Sequence, residues 1–218
     1  MASENELFSA RLRAATWDDH GGNETSAYMS ALVGGRLARD EYAALVAQLH
    51  PVYDLLEEAA DRMASDPVAG RFDLAGLRRR DALEADLGYF YGPRWRARIE
   101  PGAATERYCD RLREVCFDRP GGFVAHHYTR YMGDLSGGQY IGRQVRLALG
   151  LSAGDDGVRF YRFAGKPAAF KDRYRELLDS APWDAAEQAR VIGEVKTAYR
   201  LNAAVAAELG EHLRPSAA

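Results

Sequence analysis

The chain reads as an all-α protein, and three observations carry that reading. Apolar residues recur at helical spacing through most of its 218 residues. No segment alternates apolar and polar residues as a half-buried strand would. Clusters of Gly, Pro and Asp punctuate the helical runs where turns belong. The expected architecture is a helical bundle in one domain over residues 1–218, since a chain of this length buries a substantial core without dividing.

Taken in order, residues 7–20 form the first expected helix, and 25–33 continue it after an interruption at Gly21-Gly22. A long amphipathic helix over 39–63 has Asp40 near its start as a capping acid. Pro51 lacks a backbone donor and should bend that helix just before Tyr53. Residues 81–87 give another helix, ending in Tyr89-Phe90-Tyr91 before Gly92-Pro93. The next, 103–117, is closed by Pro120-Gly121-Gly122, and 123–149 holds a glycine-broken run. A Gly- and Asp-rich loop at 150–157 is too short to separate domains, and helices over 166–178 and 184–210 complete the set.

Composition excludes several functions. A net charge of −3 gives no nucleic-acid signal. Cys109 and Cys116, the only cysteines, would stand about 10 Å apart on one helix, too far for a disulfide, and read as two buried thiols. No apolar N-terminal stretch resembles a signal peptide, and the segment after Glu211 lacks the roughly 20 apolar residues of a membrane anchor. A cytoplasmic location is the expectation.

The most informative segment is Tyr-Thr-Arg-Tyr-Met-Gly-Asp-Leu-Ser-Gly-Gly-Gln, residues 128–139. Each glycine inside a helix costs roughly 0.5–1 kcal/mol relative to alanine, so Gly133, Gly137 and Gly138 together cost about 2–3 kcal/mol. One reading is a backbone cleared of side chains, which something broad and flat can approach, with Asp134 as an acid at its edge. The other is close helix–helix packing or a kink, for which Gly-x-x-x-Gly spacing also serves. A phosphate loop is disfavoured, because no Gly-Lys-Ser/Thr follows.

Over those twelve positions the chain resembles the distal-helix signature of the haem oxygenases, and similarity extends from residues 7–24 to Tyr199-Arg-Leu-Asn202. It looks closest to the soluble bacterial members; membrane-bound relatives carry a tail that this sequence lacks. The resemblance implies haem sandwiched between a proximal helix and the kinked distal one. His20 would ligate the iron through one neutral nitrogen. Glu24, four residues on, could hold its imidazole N–H. Asp134 takes the place of the family's distal aspartate, which delivers protons through ordered water. Tyr53, Arg130 and Asn202 match the surrounding hydrogen-bond network, and Gly133, Gly137 and Gly138 bring backbone over the haem face. Arg13, Lys171 and Arg175 match the cations that hold the haem propionates, with Lys166 a nearby alternative and Tyr128 a possible added hydroxyl. His126, His127, His50 and His212 read instead as packing or surface residues.

The implied activity is oxidative cleavage of haem b with O2 and electrons from an external ferredoxin or flavoprotein reductase. The products would be biliverdin, as the α isomer by default, carbon monoxide and ferrous iron. No nucleic-acid or membrane partner is expected, and the chain is expected to be monomeric. A haem carrier, store or sensor would need the ligand and the cationic rim but no distal acid. A di-iron oxygenase or thiaminase-like hydrolase on the same architecture would need Glu and His ligands in repeated pairs, which the sequence lacks.

Overall fold

A computed structural model describes residues 6–19, 26–152, 154 and 156–214, and within these every regular element is helical. Helix α1 spans Phe8–Ala15 and is interrupted at Thr16, whose hydroxyl donates to Leu12 O at 2.8 Å. Residues 17–19 are helical again. Helix α2, Ala27–Val33, begins at Ser26, whose side chain accepts from Met29 N at 3.1 Å as an N-cap.

Helix α3, Arg39–Arg62, runs through Pro51. Its cap differs from expectation. Ala38 is the N-cap, Asp40 lies inside the first turn, and Glu41 reaches back to accept from Ala38 N at 2.7 Å. Helix α4, Arg80–Tyr91, runs four residues past the expected Leu87 and ends, as expected, in the aromatic cluster. It stops at Gly92, whose φ of 80° ends the helix where other residues would be strained. The Arg39 guanidinium lies 4.7 Å over Tyr89 and 4.9 Å over Phe90, a cation–π contact that keeps those rings on the helix.

Helix α5 is Ala103–Val115. Pro120-Gly121-Gly122, expected to end it, instead opens helix α6, Pro120–His127, with proline in the first turn where its missing N–H is no loss. The chain then widens into two successive π-helical turns, Tyr128–Met132 and Asp134–Gly138, before resuming as α7, Gln139–Ala148. Helices α8, Pro167–Asp179, and α9, Ala185–Glu211, close the fold, and Asp184 caps α9 by accepting from Glu187 N at 2.7 Å. Short 3-10 turns at Ala69–Phe72, Trp95–Ala97 and Arg159–Tyr161 had no signal in the apolar spacing.

Helix α3 packs against α4, α5 and α6, while α9 packs against α2, α5, α6 and the first π turn. Between them lies a core that includes Tyr53, Leu56, Leu112, Phe123 and Val195, all fully buried. Helix α1 packs on α8 and α9, and α2 packs on α7 and α9. Cys109 and Cys116 are buried free thiols, and burial pushes the Cys109 thiol up to about 11.

The glycines divide into two pairs with different work. A Cβ on Gly138 would lie 2.9 Å from Tyr161 Cδ1, and one on Gly142 would lie 2.8 Å from Tyr161 Cβ. A Cβ on Gly133 would meet nothing within 4 Å, and one on Gly137 would only touch Ile141 Cδ1 at 4.0 Å. Gly133 and Gly137, whose spacing allowed close packing, are left uncovered, and the close contact falls instead at Gly138 and Gly142. Gly133 is also helical, with φ −61° and ψ −51°, so alanine fits its backbone. Gly142→Ala should lower stability in urea unfolding by about 1–3 kcal/mol through overpacking on Tyr161. Gly133→Ala should leave it unchanged or raise it by up to about 1 kcal/mol. Equal loss in both variants would contradict this division.

Candidate functional site

The π turns determine what faces inward. A π turn closes i→i+5 hydrogen bonds and is wider than an α turn, and such turns concentrate at functional sites. Here they present Gly133 and Gly137 to open space and direct Arg130 and Asp134 into the interior. Two adjoining cavities meet at this surface, sharing Gly133, Ser136 and Tyr199 as wall. The first, about 330 Å3, is bounded by Arg13, Thr16 and Trp17 from the α1 side, by Tyr128 and Met132, and by Lys171 and Arg175 from α8. The second, about 370 Å3, extends inward past Arg130, Asp134, Gly137 and Gly138 to Leu45, Leu49 and Val52 of α3 and Val205 of α9.

The polar groups at the border form one chain. Tyr53, fully buried on α3, donates its hydroxyl to Asp134 Oδ2. Arg130 Nε donates to the Tyr53 hydroxyl at 3.2 Å, and its Nη2 stands 3.8 Å from Asp134 Oδ1. Arg130 Nη1 donates to Asn202 Oδ1 at 2.5 Å, and Asn202 Nδ2 donates in turn to Ala198 O at 2.9 Å along α9. Asn202, Arg130, Tyr53 and Asp134, all named from the family resemblance, thus occupy one network spanning α9, the distal run and α3.

Burial sets its electrostatics. Burial pushes the Asp134 carboxyl above the usual carboxylate range, against the lowering influence of Arg130, the Tyr53 hydrogen bond and Arg79. Burial likewise pushes the Tyr53 phenol well up, so it remains a donor. The result is a carboxyl group that holds its proton to higher pH than in water, beside a cation that stabilises the ionised form once the proton leaves.

The cationic rim also assembles. Arg13, Lys171, Arg175 and Tyr128 line the mouth of the first cavity together. Arg13 lies 5.4 Å over the exposed Trp17 ring, and Arg175 pairs with Asp172 at 2.6 Å. Burial raises the Tyr128 phenol, while Arg175 and Arg13 lower it, which places both charges near that hydroxyl. Lys166, the alternative to Lys171, caps α8 and is absent from the lining. Gly138 lines the inner cavity, yet its missing Cβ is required by Tyr161 rather than by the open space.

His20 and Glu24 lie outside the described residues, as do Gly21 and Gly22. The described residues just before them, Thr16 and Trp17, stand in the cavity wall together with Gly133. His126 and His127 are buried packing residues. His126 Nε2 meets Glu194 Oε1 at 2.9 Å, and Arg111 bonds the same carboxylate at 2.9 and 2.5 Å. His127 stacks on Tyr131 with ring centroids 4.1 Å apart, and burial pushes its imidazole down to about 3.

Sequence reasoning missed several wall residues. Tyr161, Phe160, Tyr199 and Tyr108 all line the inner cavity. For Tyr161 a signal existed, since Gly138 and Gly142 repeat the four-residue spacing and imply a bulky partner. For the others the sequence offers only buried aromatics.

An open backbone patch, cations at the mouth and an acid at the border fit a flat macrocycle bearing two carboxylates. The chain's resemblances agree with that fit. The family model described as Heme oxygenase matches residues 6–208. Heme oxygenase 1 of Nostoc sp. (strain PCC 7120) is 35% identical over 205 residues, covering 93% of this chain and 86% of that protein. Heme oxygenase 1 of Homo sapiens is 39% identical over 208 residues, covering 94% and 72% respectively. In three dimensions the chain superposes on haem oxygenase-1 of the cyanobacterium Synechocystis sp. PCC6803, a structure solved in complex with haem. The TM-score is 0.88 at 33% identity, covering 94% of this chain and 92% of that one. The haem oxygenase of Leptospira interrogans also gives a TM-score of 0.88 at 33% identity, with 93% and 100% covered. On the extent of these matches and the agreement of the fold, this chain belongs to the haem oxygenase family.

Proposed function

We propose that the chain is a haem-degrading monooxygenase that converts haem b, with O2 and externally supplied electrons, to biliverdin, carbon monoxide and ferrous iron. The observation that carries this reading is the open backbone at Gly133 and Gly137, bordered by a buried Asp134 whose position is fixed by Tyr53 and Arg130. A carrier or store would gain nothing from a buried acid with such a network, and leaving polar groups in an apolar wall is costly.

Bound haem would supply the iron at which oxygen is activated and the ring that is oxidised. The residues of the chain would bind and orient that group and handle protons beside it. His20 is the proposed iron ligand, supported by the approach of Thr16 and Trp17 to the cavity, and Glu24 is its proposed orienting partner. Gly133 and Gly137 admit the ring close to the distal backbone and confine what binds above it. Arg13, Lys171, Arg175 and Tyr128 would hold the two propionates at the mouth, which fixes the rotation of the ring. That arrangement supports the α isomer. Asp134 would hold and release protons at its carboxyl toward the cavity, while Arg130 and Tyr53 limit how far it moves.

The electron donor is proposed to be a ferredoxin or flavoprotein reductase with an acidic docking face. Arginine and lysine at the cavity mouth support this, since charge complementarity speeds encounter. Among the described residues, no helix is long and apolar enough to cross a membrane.

The direct experiment is hemin titration followed by ascorbate or a reductase under oxygen, with the Soret band and bilin absorbance recorded. Asp134→Ala should still take up one haem while bilin yield falls about 100-fold or more, the usual weight of a positioned proton donor. A wild-type yield from that variant would remove Asp134 from the mechanism. His20→Ala should lose tight five-coordinate ligation, read from its absorption spectrum and hemin affinity. An unchanged haem spectrum would exclude His20 as the ligand.

A further inference from the structure

Outside the network already described, one cluster of buried charge is tied to the cavity wall. Arg79 and Asp86 both belong to α4 or its N-terminal boundary, and they are 6% and 0% exposed. Asp86 accepts from Arg159 N at 3.0 Å and from Phe160 N at 2.9 Å. Arg79 Nη1 donates to Arg162 O at 2.5 Å and to Phe160 O at 3.4 Å, while Nη2 and Nε donate to Gly76 O at 3.1 Å and Leu77 O at 2.8 Å. The 3-10 turn Arg159–Tyr161 is therefore gripped by its N–H groups on one side and its carbonyls on the other. Its two aromatic side chains form the wall behind the acid. Phe160 meets the Tyr53 ring edge-on at 5.2 Å, and Tyr161 fills the space that Gly138 and Gly142 leave.

We propose that Arg79 is a positioning residue for Asp134. Its guanidinium grips the backbone carbonyls of the turn that seats Phe160 edge-on against Tyr53, whose hydroxyl in turn holds Asp134. The inference rests on Asp134 being the proton donor. Several groups surround Asp134: Arg130 and Tyr131 on its own run, Tyr53 on α3, Arg79 at the start of α4, and Tyr161 on the 3-10 turn. Of the cations, Arg130 bonds the network directly, whereas the Arg79 side chain bonds backbone carbonyls of the turn and of its own loop. Both lower the proton affinity of the Asp134 carboxyl. Removing the Arg79 charge should therefore move Asp134's titration upward.

The test is titration of the Asp134 carboxyl by carbon-13 NMR of aspartate-labelled protein without added haem, its signal assigned by loss in Asp134→Asn. Arg79→Gln should raise the midpoint by about 0.5 pH units or more. Arg79→Lys, which keeps the charge but not the planar fork, should leave the midpoint in place. An unchanged midpoint in Arg79→Gln, or an equal rise in both variants, overturns the charge role. Phe160→Leu tests the seating role and does not depend on Arg79 variants folding. It should cut the rate of bilin formation by haem-saturated protein about fivefold or more at an unchanged Asp134 midpoint, and a wild-type rate overturns it. If Asp134→Asn itself makes bilin normally, the proton-donor reading fails; if only the Arg79 and Phe160 variants behave as wild type, this inference alone fails.

Discussion

A carboxyl group set into an apolar wall stays useful only if its partners hold it still without neutralising it permanently. The rest of this structure follows from meeting that condition at Asp134. Tyr53 donates to it from a fully buried position, Arg130 stands near enough to stabilise its anion, and Asn202 fixes Arg130 from α9. Burial raises the carboxyl's proton affinity and the neighbouring cations lower it, with burial the larger influence. Breaking one member of such a set leaves the others buried and unpaired, which costs more than the net worth of the intact set. The network therefore requires α3, α9 and the distal run to be placed together, and the core packing of those helices supplies that placement.

The distal run satisfies a second demand at the same point. A wall that must admit a flat ligand cannot carry side chains there, and the π turns let backbone face the cavity while Arg130 and Asp134 still turn inward. Gly133 and Gly137 leave the space clear, whereas Gly138 and Gly142 let the run settle onto Tyr161. One short segment thus combines an opening on one side with tight packing on the other. The cations at the mouth come from helices distant in sequence, Arg13 on α1 and Lys171 and Arg175 on α8, so the cleft exists only in the assembled fold.

Much of this was legible in the sequence. The helices followed from apolar spacing, and most ends fell within a few residues of expectation. The errors have local causes. Pro120 was read as a terminator although proline suits a helix's first turn, and Asp40 was read as a cap although Glu41 makes the reciprocal bond. The π turns were invisible, because residue spacing alone does not distinguish i→i+5 from i→i+4 hydrogen bonding when glycines remove the side-chain pattern. Arg130, Gly133 and Asp134 were named because a twelve-residue signature fixed their register, and Tyr53 and Asn202 because the wider resemblance reached them; Tyr161 and Phe160 were missed because they enter from a 3-10 turn with no periodic signal. Arg79 is the least legible of all. Within Arg78-Arg79-Arg80 it looks like one of three surface charges, yet Arg78 and Arg80 pair with aspartates and Arg79 is buried against backbone carbonyls.

The claim at the centre is that uncovered backbone at Gly133 receives the face of the haem. Its most direct test is hemin affinity of Gly133→Leu, with thermal unfolding in parallel to establish that the fold is intact. The side chain would project into open space, so folding should persist while stoichiometric hemin uptake is lost or weakened at least about tenfold. A folded Gly133→Leu protein that binds hemin as tightly as the parent would contradict the account.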